Sequence, residues 1–322
     1  HDTVVGPRPD LGGGVATPSY RLPGDADPGL PGAPRPLRIG SRMFRWGERT
    51  FVMGILNVTA DSFSGDGLLT SADPVEAALA TGRRMVAEGA DMLDVGGEST
   101  RPGHADIDPA DEAARVVPVV RALRSELPDV PVSIDTTKPS VAEAAVDAGA
   151  ALLNDVWGVS PDDGMARVAA ERGVPIVLMH NRAEPRYRNL IAEVVAELQA
   201  AIDRAERAGV EPDAILVDPG FGFGKTADHN LVLLRELERL RILARPIVLG
   251  TSRKSTLGKV LDLGPDERVE ATVATTVLGV AAGVDIVRVH DVLQNVRAAR
   301  MADAVVRGSP FAGASGPSGD GT

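Results

Sequence analysis

The sequence predicts an α/β fold, a single-domain (β/α)8 TIM barrel with flexible N- and C-terminal tails. Two observations carry this prediction. Short apolar runs alternate with amphipathic stretches, and together they span about 250 residues, the usual size of a closed eight-stranded parallel barrel. The runs are continuously apolar, which indicates strands that are buried on both faces. A doubly wound open sheet is the alternative that the same pattern allows.

Eight apolar runs are the strand candidates. In chain order they are FVMGIL (51–56), ADMLDV (90–95), VPVSID (130–135), AALLND (150–155), VPIVLM (174–179), AILVD (214–218), PIVLG (246–250) and VDIVRV (284–289). Amphipathic stretches between them include PVEAALATGRRMVAEG, PADEAARVVPVVRALRSEL, PSVAEAAVDAG and NLIAEVVAELQAAIDRAERAG. Several of these end at a glycine, as helix C-termini commonly do, so we expect helices there.

The two ends of the chain differ from its middle. Residues 1–42 are dense in Pro and Gly and carry almost no periodic apolar pattern, so we expect a flexible extension. Residues 308–322 are small and polar and are expected to be disordered. The barrel domain is therefore placed at residues 43–307.

Composition excludes several classes of protein. A formal net charge of −11 disfavours binding to nucleic acid or to an anionic membrane, which both require clustered Lys and Arg. The chain has no cysteine, which excludes disulfides and thiolate metal sites. It has no apolar stretch of about 18 residues and no apolar signal-peptide core, so we expect a cytoplasmic protein.

Polar residues stand at, near or just after the end of every strand candidate, where a barrel of this type carries its active site. They are Asn57, Thr59, Asp61 and Ser62, then GGESTRPG, Asp135, Asn154, Asp155, His180, Asp218 with PGFGFGK, TSRKS, Arg288, His290 and Asp291. One such residue alone could be a helix cap or a turn residue. Capping does not require Asp, Asn, Lys, Arg and His together at one rim, so a collective site is the better interpretation.

Six segments lie in order from residue 51 to residue 291: FVMGILNVTADSFSGDG, GADMLDVGGESTRPG, VSIDTTKPSVAEAAVDAGAALLNDVWG, LVDPGFGFGKT, GTSRKSTLG and VRVHD. This series resembles the signature segments of the dihydropteroate synthase family. The resemblance implies condensation of 6-hydroxymethyl-7,8-dihydropterin diphosphate with 4-aminobenzoate, giving 7,8-dihydropteroate and pyrophosphate with the help of Mg2+. It also suggests a homodimer that forms through the outer helices of the barrel.

The resemblance assigns the pterin pocket. Asp218 is similar to the family residue that accepts hydrogen bonds from the guanidine-like edge of a pterin, a task that suits a carboxylate. Asn154 matches the residue that faces the same edge, and Asp135 matches the one near the far side of the ring. Lys254 resembles the lysine that reaches the ring carbonyl and N5. Met179, which ends the fifth strand candidate, is assigned to the same pocket.

The resemblance also assigns the leaving group. Arg288 and His290 resemble the diphosphate ligands of the family, and fixed positive charge is what a departing diphosphate requires. Asn57 is expected to contact Mg2+ through its side-chain oxygen, a hard ligand that suits this ion. The GFGFGK stretch lacks the spacing of a phosphate-binding P-loop, so we exclude that interpretation.

The remaining assignments concern 4-aminobenzoate. By resemblance, Gly220 and Phe221 line its side of the pocket, and Ser252 and Arg253 help to hold its carboxylate. The loops after the first two strands have the polar, glycine-bearing composition of segments that close over a substrate. Their site residues are assigned as Phe63, Thr100 and Arg101, and their catalytic acids as Asp61 and Asp66, which act with Asp135 and Lys254.

The first loop departs from the family pattern. The family usually has TPDSFSDGG, whereas this chain has TADSFSGDG, so Ala60 replaces a proline and the loop acid moves from position 65 to Asp66. Gly65 could bring Asp66 to the same place, because glycine adopts backbone conformations that are closed to other residues.

Two rival functions remain at this point. A methyltetrahydrofolate to corrinoid methyltransferase shares a pterin-binding barrel but needs no diphosphate site, and the SRK segment with Arg288 and His290 argues against it. A binding or regulatory paralogue would keep the barrel and lose catalysis. The main support for such a non-catalytic paralogue is that the loop acid stands at Asp66 rather than at position 65.

Overall fold

The computed structural model describes residues 32–58, 73–98 and 106–308. An antiparallel hairpin, β1 (Leu37–Ile39) and β2 (Arg42–Phe44), comes first. The strands that follow are β3 (Phe51–Asn57), β4 (Met92–Gly96), β5 (Val132–Asp135), β6 (Leu152–Asp155), β7 (Ile176–Met179), β8 (Ile215–Asp218), β9 (Val248–Leu249) and β10 (Ile286–Val289). Each strand candidate overlaps one of these eight, and β3 and β4 each extend one residue beyond their candidates.

The eight strands pair in parallel in the order β8-β7-β6-β5-β4-β3-β10-β9. A parallel bridge between Val217 and Ile247 joins the two ends of this sheet, and the Val217 N–H donates to the Pro246 carbonyl at 2.9 Å. The sheet therefore closes on itself. The predicted (β/α)8 barrel is confirmed, and the open sheet is excluded.

Helices surround the barrel. Within the described ranges they are α1 (Pro74–Ala87), α2 (Pro109–Glu126), α3 (Pro139–Asp147), α4 (Gly164–Arg172), α5 (Leu190–Arg207), α6 (Ala227–Arg235), α7 (Ser255–Leu261), α8 (Val269–Ala281) and α9 (Val292–Val306). Asp73 and Asp108 cap α1 and α2 by accepting backbone N–H bonds, with a proline in the first turn of each helix. Over these same residues, no helix is long and apolar enough to cross a bilayer.

The barrel interior has an apolar layer beneath a polar one. Neighbouring side chains on a strand point to opposite faces, so every second residue faces inward. The inward apolar layer contains Met53, Met92, Leu152, Val177, Leu216, Val248 and Ile286. Two residues further along four of these strands stand Asp94, Asn154, Asp218 and Arg288, and Asp135 of β5 stands in register with Asn154. This alternation places a ring of polar side chains, hereafter the polar ring, on an apolar floor.

The folded domain begins earlier than predicted, which corrects the proposed flexible extension over residues 1–42. Strand β1 and the start of β2 fall inside that range, and the turn between them is made at Gly40, which has φ +58°. The hairpin is held because it buries Ile39 and Phe44 against the apolar floor, with the Phe44 and Phe51 rings 4.8 Å apart. Residues 1–31 and 309–322 lie outside the described residues, so their predicted flexibility stays a prediction.

Candidate functional site

The polar ring is joined by ion pairs and hydrogen bonds between strands that are distant in sequence. Asp94 Oδ2 accepts hydrogen bonds from Arg288 Nε at 2.6 Å and from Asn154 Nδ2 at 3.1 Å. Arg288 Nη2 donates to Asp135 Oδ2 at 2.8 Å. One guanidinium therefore serves two buried carboxylates, and β4, β5, β6 and β10 are tied together at this level.

The carboxylates of the polar ring keep unused acceptor atoms. Asp94 Oδ1 and Asp135 Oδ1 are buried and have no hydrogen-bond partner. Burial raises the pKa of Asp135 to about 7, against the opposing effect of Arg288, and the nearby Asp94 raises it further. Buried acceptors normally have partners, so this pair indicates a surface suited to a ligand that is rich in N–H groups.

The C-terminal ends of the strands form a level rim. Across adjacent strands, Asn57 lies in register with Gly96, Gly96 with Asp135, and Asp135 with Asn154. On the other side of the barrel, Met179 lies in register with Asp218. The structure thus brings the predicted residues of these strands to one end of the barrel.

Asp218 and Lys254 are held by one turn, residues 219–225, which follows β8. Asp218 is buried, and its Oδ1 accepts the Gly220 N–H at 2.7 Å. Burial raises the pKa of Asp218, and Lys254 opposes that rise. Lys254 Nζ donates to the carbonyl oxygen of Phe221 and lies 4.4 Å from the ring centroid of Phe223. Burial lowers the pKa of Lys254 to about 7.

The same turn explains two of its glycines. Gly220 and Gly222 have φ values of +71° and +82°, a region that favours glycine. A Cβ at position 220 would lie 1.7 Å from the His180 carbonyl oxygen, and one at position 222 would lie 2.8 Å from Lys254 Cδ. Gly222 therefore leaves the space through which Lys254 reaches Phe221.

Ser252 orients His290. The Ser252 hydroxyl oxygen accepts the His290 backbone N–H at 3.0 Å and lies 2.8 Å from His290 Nδ1. When the hydroxyl donates to Nδ1, the proton of the neutral ring is on Nε2. Next to it, Arg253 makes a bidentate ion pair with Asp291, at 3.0 and 2.7 Å. The contact predicted between Arg253 and the 4-aminobenzoate carboxylate stays a prediction.

Phe221 was expected to line the 4-aminobenzoate side of the pocket, but its side chain is buried. Its side chain has no exposed surface and packs in the core between the strands and the helices. Phe221 accepts a hydrogen bond from Lys254 through its backbone carbonyl, and Lys254 Nζ lies 5.9 Å from the centroid of its ring. Five predicted site residues, Asp61, Phe63, Asp66, Thr100 and Arg101, lie outside the described residues, as does the neighbouring Ser62.

Asp94 is the residue of this site that sequence reasoning missed. It stands inside a strand candidate rather than at its end, so it was counted as part of an apolar run. The available signal was a lone acid two residues after Met92, on the same face of β4. A buried acid on an inward face needs a partner, and Arg288 supplies it.

Comparisons with known proteins agree with this geometry. The family model described as pterin binding enzyme matches residues 53–290. A dihydropteroate synthase from Clostridium beijerinckii is 50% identical over 272 residues, which cover 84% of this chain and 100% of that protein.

Two solved structures are similar throughout the barrel. The Clostridium difficile dihydropteroate synthase, solved in the presence of pteroic acid, superposes with a TM-score of 0.79 at 47% identity, covering 82% of this chain and 100% of that one. The Xanthomonas albilineans enzyme with 4-aminobenzoic acid has a TM-score of 0.79 at 41% identity, covering 85% and 98%. From the signature segments, the barrel, the polar ring and these relatives, we conclude that the chain belongs to the dihydropteroate synthase family of pterin-binding enzymes.

Proposed function

We propose that this chain catalyses the dihydropteroate synthase reaction, the transfer of a pterin-methyl group from 6-hydroxymethyl-7,8-dihydropterin diphosphate to the amine of 4-aminobenzoate. The observation that carries the proposal is the polar ring, in which buried carboxylates with unused acceptor atoms face the C-terminal end of the barrel. The relatives named above, which were solved with pteroic acid and with 4-aminobenzoic acid, support the same assignment.

Pterin recognition follows from the donors and acceptors of the ring. A pterin presents adjacent N–H groups on its guanidine-like edge, and we assign their binding to Asp218 and Asn154, both buried. Asp135, whose Oδ1 is unpaired, is assigned to the far side of the pterin. Lys254 supplies a donor to the ring carbonyl and N5, and Met179 packs beside Asp218. A bound pterin would displace water from this pocket, and hydrogen bonds in such a low-dielectric environment are stronger than the same bonds in water.

The diphosphate is assigned to Arg288 and His290. Arg288 uses Nε and Nη2 to bind Asp94 and Asp135, and its remaining N–H groups suit a phosphate oxygen. When the Ser252 hydroxyl donates to Nδ1, His290 carries its ring proton on Nε2, which makes that nitrogen a hydrogen-bond donor. As the C–O bond breaks, its electron pair leaves with the diphosphate, and these donors stabilise the negative charge that develops.

Mg2+ is proposed as the metal cofactor. Asn57 offers a hard oxygen ligand at the end of β3, on the same rim as Asp135. Within residues 32–58, 73–98 and 106–308, no group of three His, Cys, Asp or Glu side chains could hold a metal. A single oxygen ligand from Asn57 fits an ion that is held mainly by substrate phosphates and water, with one or two protein oxygens, as Mg2+ often is. When bound, Mg2+ neutralises charge on the diphosphate.

Departure of the diphosphate leaves a cationic pterin methylene, which the 4-aminobenzoate nitrogen then attacks with loss of one proton. The unpaired carboxylate oxygens of the polar ring stabilise this cation electrostatically. Ser252, Arg253 and Gly220 are proposed to surround 4-aminobenzoate, whereas the buried ring of Phe221 is not. The roles of Asp61, Asp66, Phe63, Thr100 and Arg101 stay predictions because these residues lie outside the described ranges.

The test is pyrophosphate release from pterin diphosphate and Mg2+, with and without 4-aminobenzoate, and identification of dihydropteroate by mass spectrometry. Product that requires all three components would support the proposal. Tight binding of pterin diphosphate without product would instead favour the non-catalytic paralogue. Methyl transfer to a corrinoid protein would favour the methyltransferase.

A homodimer is also proposed. Large apolar side chains are exposed on α8 and α9, including Leu278 at 55% and Met301 at 67%. Such exposure on neighbouring helices is typical of a protein interface. Light scattering should give twice the mass of the chain, and Leu278→Glu with Met301→Glu should halve it, whereas Ile242→Glu, an exposed apolar site elsewhere, should not. A wild-type chain that stays monomeric would contradict the proposal. The expected cytoplasmic location stays a prediction.

A further inference from the structure

Lys225 ends the 219–225 turn and donates hydrogen bonds back to it. Its Nζ donates to the carbonyl oxygens of Gly220 at 3.0 Å and Phe223 at 3.1 Å. The third partner is His180 Nδ1, at 2.9 Å. Burial lowers the pKa of Lys225 to about 7. A lysine ammonium has three N–H donors, so in the protonated form these three acceptors use all of them. Lys225 is therefore committed to the turn, and none of its donors remains for a substrate.

His180 anchors Lys225 to helix α5. The imidazole is fully buried, and its Nε2 lies 2.9 Å from Glu197 Oε2. Because Nδ1 accepts from Lys225, Nε2 carries the proton and donates to Glu197. Burial and the adjacent Lys225 lower the pKa of His180 to about 3, so the ring is neutral near pH 7. Glu197 is itself paired with Arg182. A continuous chain of hydrogen bonds therefore runs from α5 to the turn.

The turn is the part of the site on which Lys254 depends. The Phe221 carbonyl that accepts from Lys254 lies between the two carbonyls that Lys225 holds. The Gly220 N–H, on the same peptide segment, fixes the Asp218 carboxylate. If the turn rotated, Phe221 would lose its position opposite Lys254, because a peptide carbonyl moves with its two neighbours.

We propose that Lys225, seated on His180, is a positioning residue for pterin binding: it holds the 219–225 turn so that the Phe221 carbonyl places Lys254 beside Asp218. This inference rests on the proposed function in its choice of ligand. It predicts that Lys225 acts through Lys254. The energetic effect of losing Lys225 must then depend on whether Lys254 is present.

A double-mutant cycle tests this dependence. The dissociation constant of 6-hydroxymethyl-7,8-dihydropterin diphosphate is measured by calorimetry for the wild type, Lys225→Met, Lys254→Met and the double variant. Lys225→Met should weaken binding by about 10-fold in the wild-type background, as expected for lost positioning hydrogen bonds. In the Lys254→Met background, the same change should weaken it by less than about 3-fold. Equal losses in both backgrounds, or no loss in either, would overturn the inference.

Two further variants separate positioning from general damage. Lys259→Met removes an exposed lysine of α7 and should leave the dissociation constant unchanged. Lys225→Gln keeps an N–H2 group that can still donate to carbonyls, so it should restore part of the affinity, and it replaces Lys225→Met if that variant does not fold. Affinity for Lys225→Gln no better than for Lys225→Met would count against a hydrogen-bonding role.

A measurement without substrate distinguishes this inference from the proposed function. The chain contains four lysines, at positions 138, 225, 254 and 259, so each side-chain signal can be assigned in NMR spectra of protein labelled at lysine Cε. Loss of Lys225 should raise the mobility of the Lys254 Cε toward that of Lys259. Unchanged mobility overturns the inference even if the enzyme is active, and raised mobility supports it even if pterin diphosphate is not the substrate.

Discussion

Asp94→Asn is the sharpest test of the polar ring, because it replaces a charge with a neutral group of nearly the same shape. Asp94 Oδ2 accepts from Arg288 at 2.6 Å and from Asn154 at 3.1 Å. An asparagine oxygen can still accept both bonds, but the bond to Arg288 is no longer between two charges. A hydrogen bond to a charged group contributes about 1.5–3 kcal/mol and a neutral one about 0.5–1.5 kcal/mol.

The magnitude follows from that difference. The midpoints of those two ranges differ by about 1.25 kcal/mol and their extremes by about 2.5 kcal/mol, so kcat/KM should fall by about 8- to 70-fold. The substitution should also change the pKa of Asp135. The Asp94 charge is one cause of the raised pKa of Asp135, so the substitution should lower that pKa below its value of about 7. Any limb of the pH–rate profile that reports Asp135 should move to lower pH.

The assay is pyrophosphate release at saturating 4-aminobenzoate, with pterin diphosphate varied. Asp91→Asn is the matched control, because Asp91 is also buried and ion-paired, to Arg49 at 2.7 Å, but lies three positions earlier in the chain at the opposite end of the barrel. It should lower stability and leave kcat/KM within about 2-fold, as expected for a site remote from the chemistry. An Asp94→Asn enzyme with wild-type efficiency, or an Asp91→Asn enzyme that is equally impaired, would refute the reasoning.

Four other outcomes are expected. Lys254→Met should lower kcat/KM by about 100-fold or more, since a half-buried donor to the pterin is lost. Wild-type turnover in a steady-state assay would contradict this. Lys254 has a pKa lowered to about 7, so its charge is present below that pH. We therefore expect kcat/KM to fall as the pH rises through about 7 rather than near 10.5. A flat profile from about pH 6 to 9 would show that the charge of Lys254 does not contribute to kcat/KM. His180 has a pKa lowered to about 3, so below pH 6.5 the unfolded chain binds a proton that the folded chain does not, and stability is lost as pH falls. Between pH 7 and pH 5 the free energy of unfolding should fall by about 2 kcal/mol from this cause. Urea unfolding should show that His180→Gln removes this pH dependence and that His229→Gln keeps it. Identical pH dependence in the wild type and both variants would contradict the assignment to His180. Asp66→Asn should slow pyrophosphate release more than Asp61→Asn if Asp66 is the loop acid, and equal small effects would remove Asp66 from the mechanism.

The architecture of the barrel was predictable from sequence because its signals are local. A parallel strand covered on both faces must be continuously apolar, so each of the eight runs could be recognised by itself. Barrel topology then predicts, from position along the strands alone, that Asp135, Asn154, Asp218 and Arg288 lie at one end. The hairpin was missed for the converse reason. Ile39 and Phe44 lie in a short stretch interrupted by Pro, Gly and Arg, and the apolar floor of the barrel is where they are buried.

The sequence by itself determined which elements form and which end of the barrel carries the chemistry, because hydrophobic period and strand direction are properties of neighbouring residues. Only the tertiary structure decided the pairings. Arg288 binds Asp94 from 194 positions away, and Lys225 reaches His180 from 45 positions away. Such contacts depend on strand order and register. Strand order and register are set when the sheet closes into a barrel, and they cannot be deduced from neighbouring residues in the sequence.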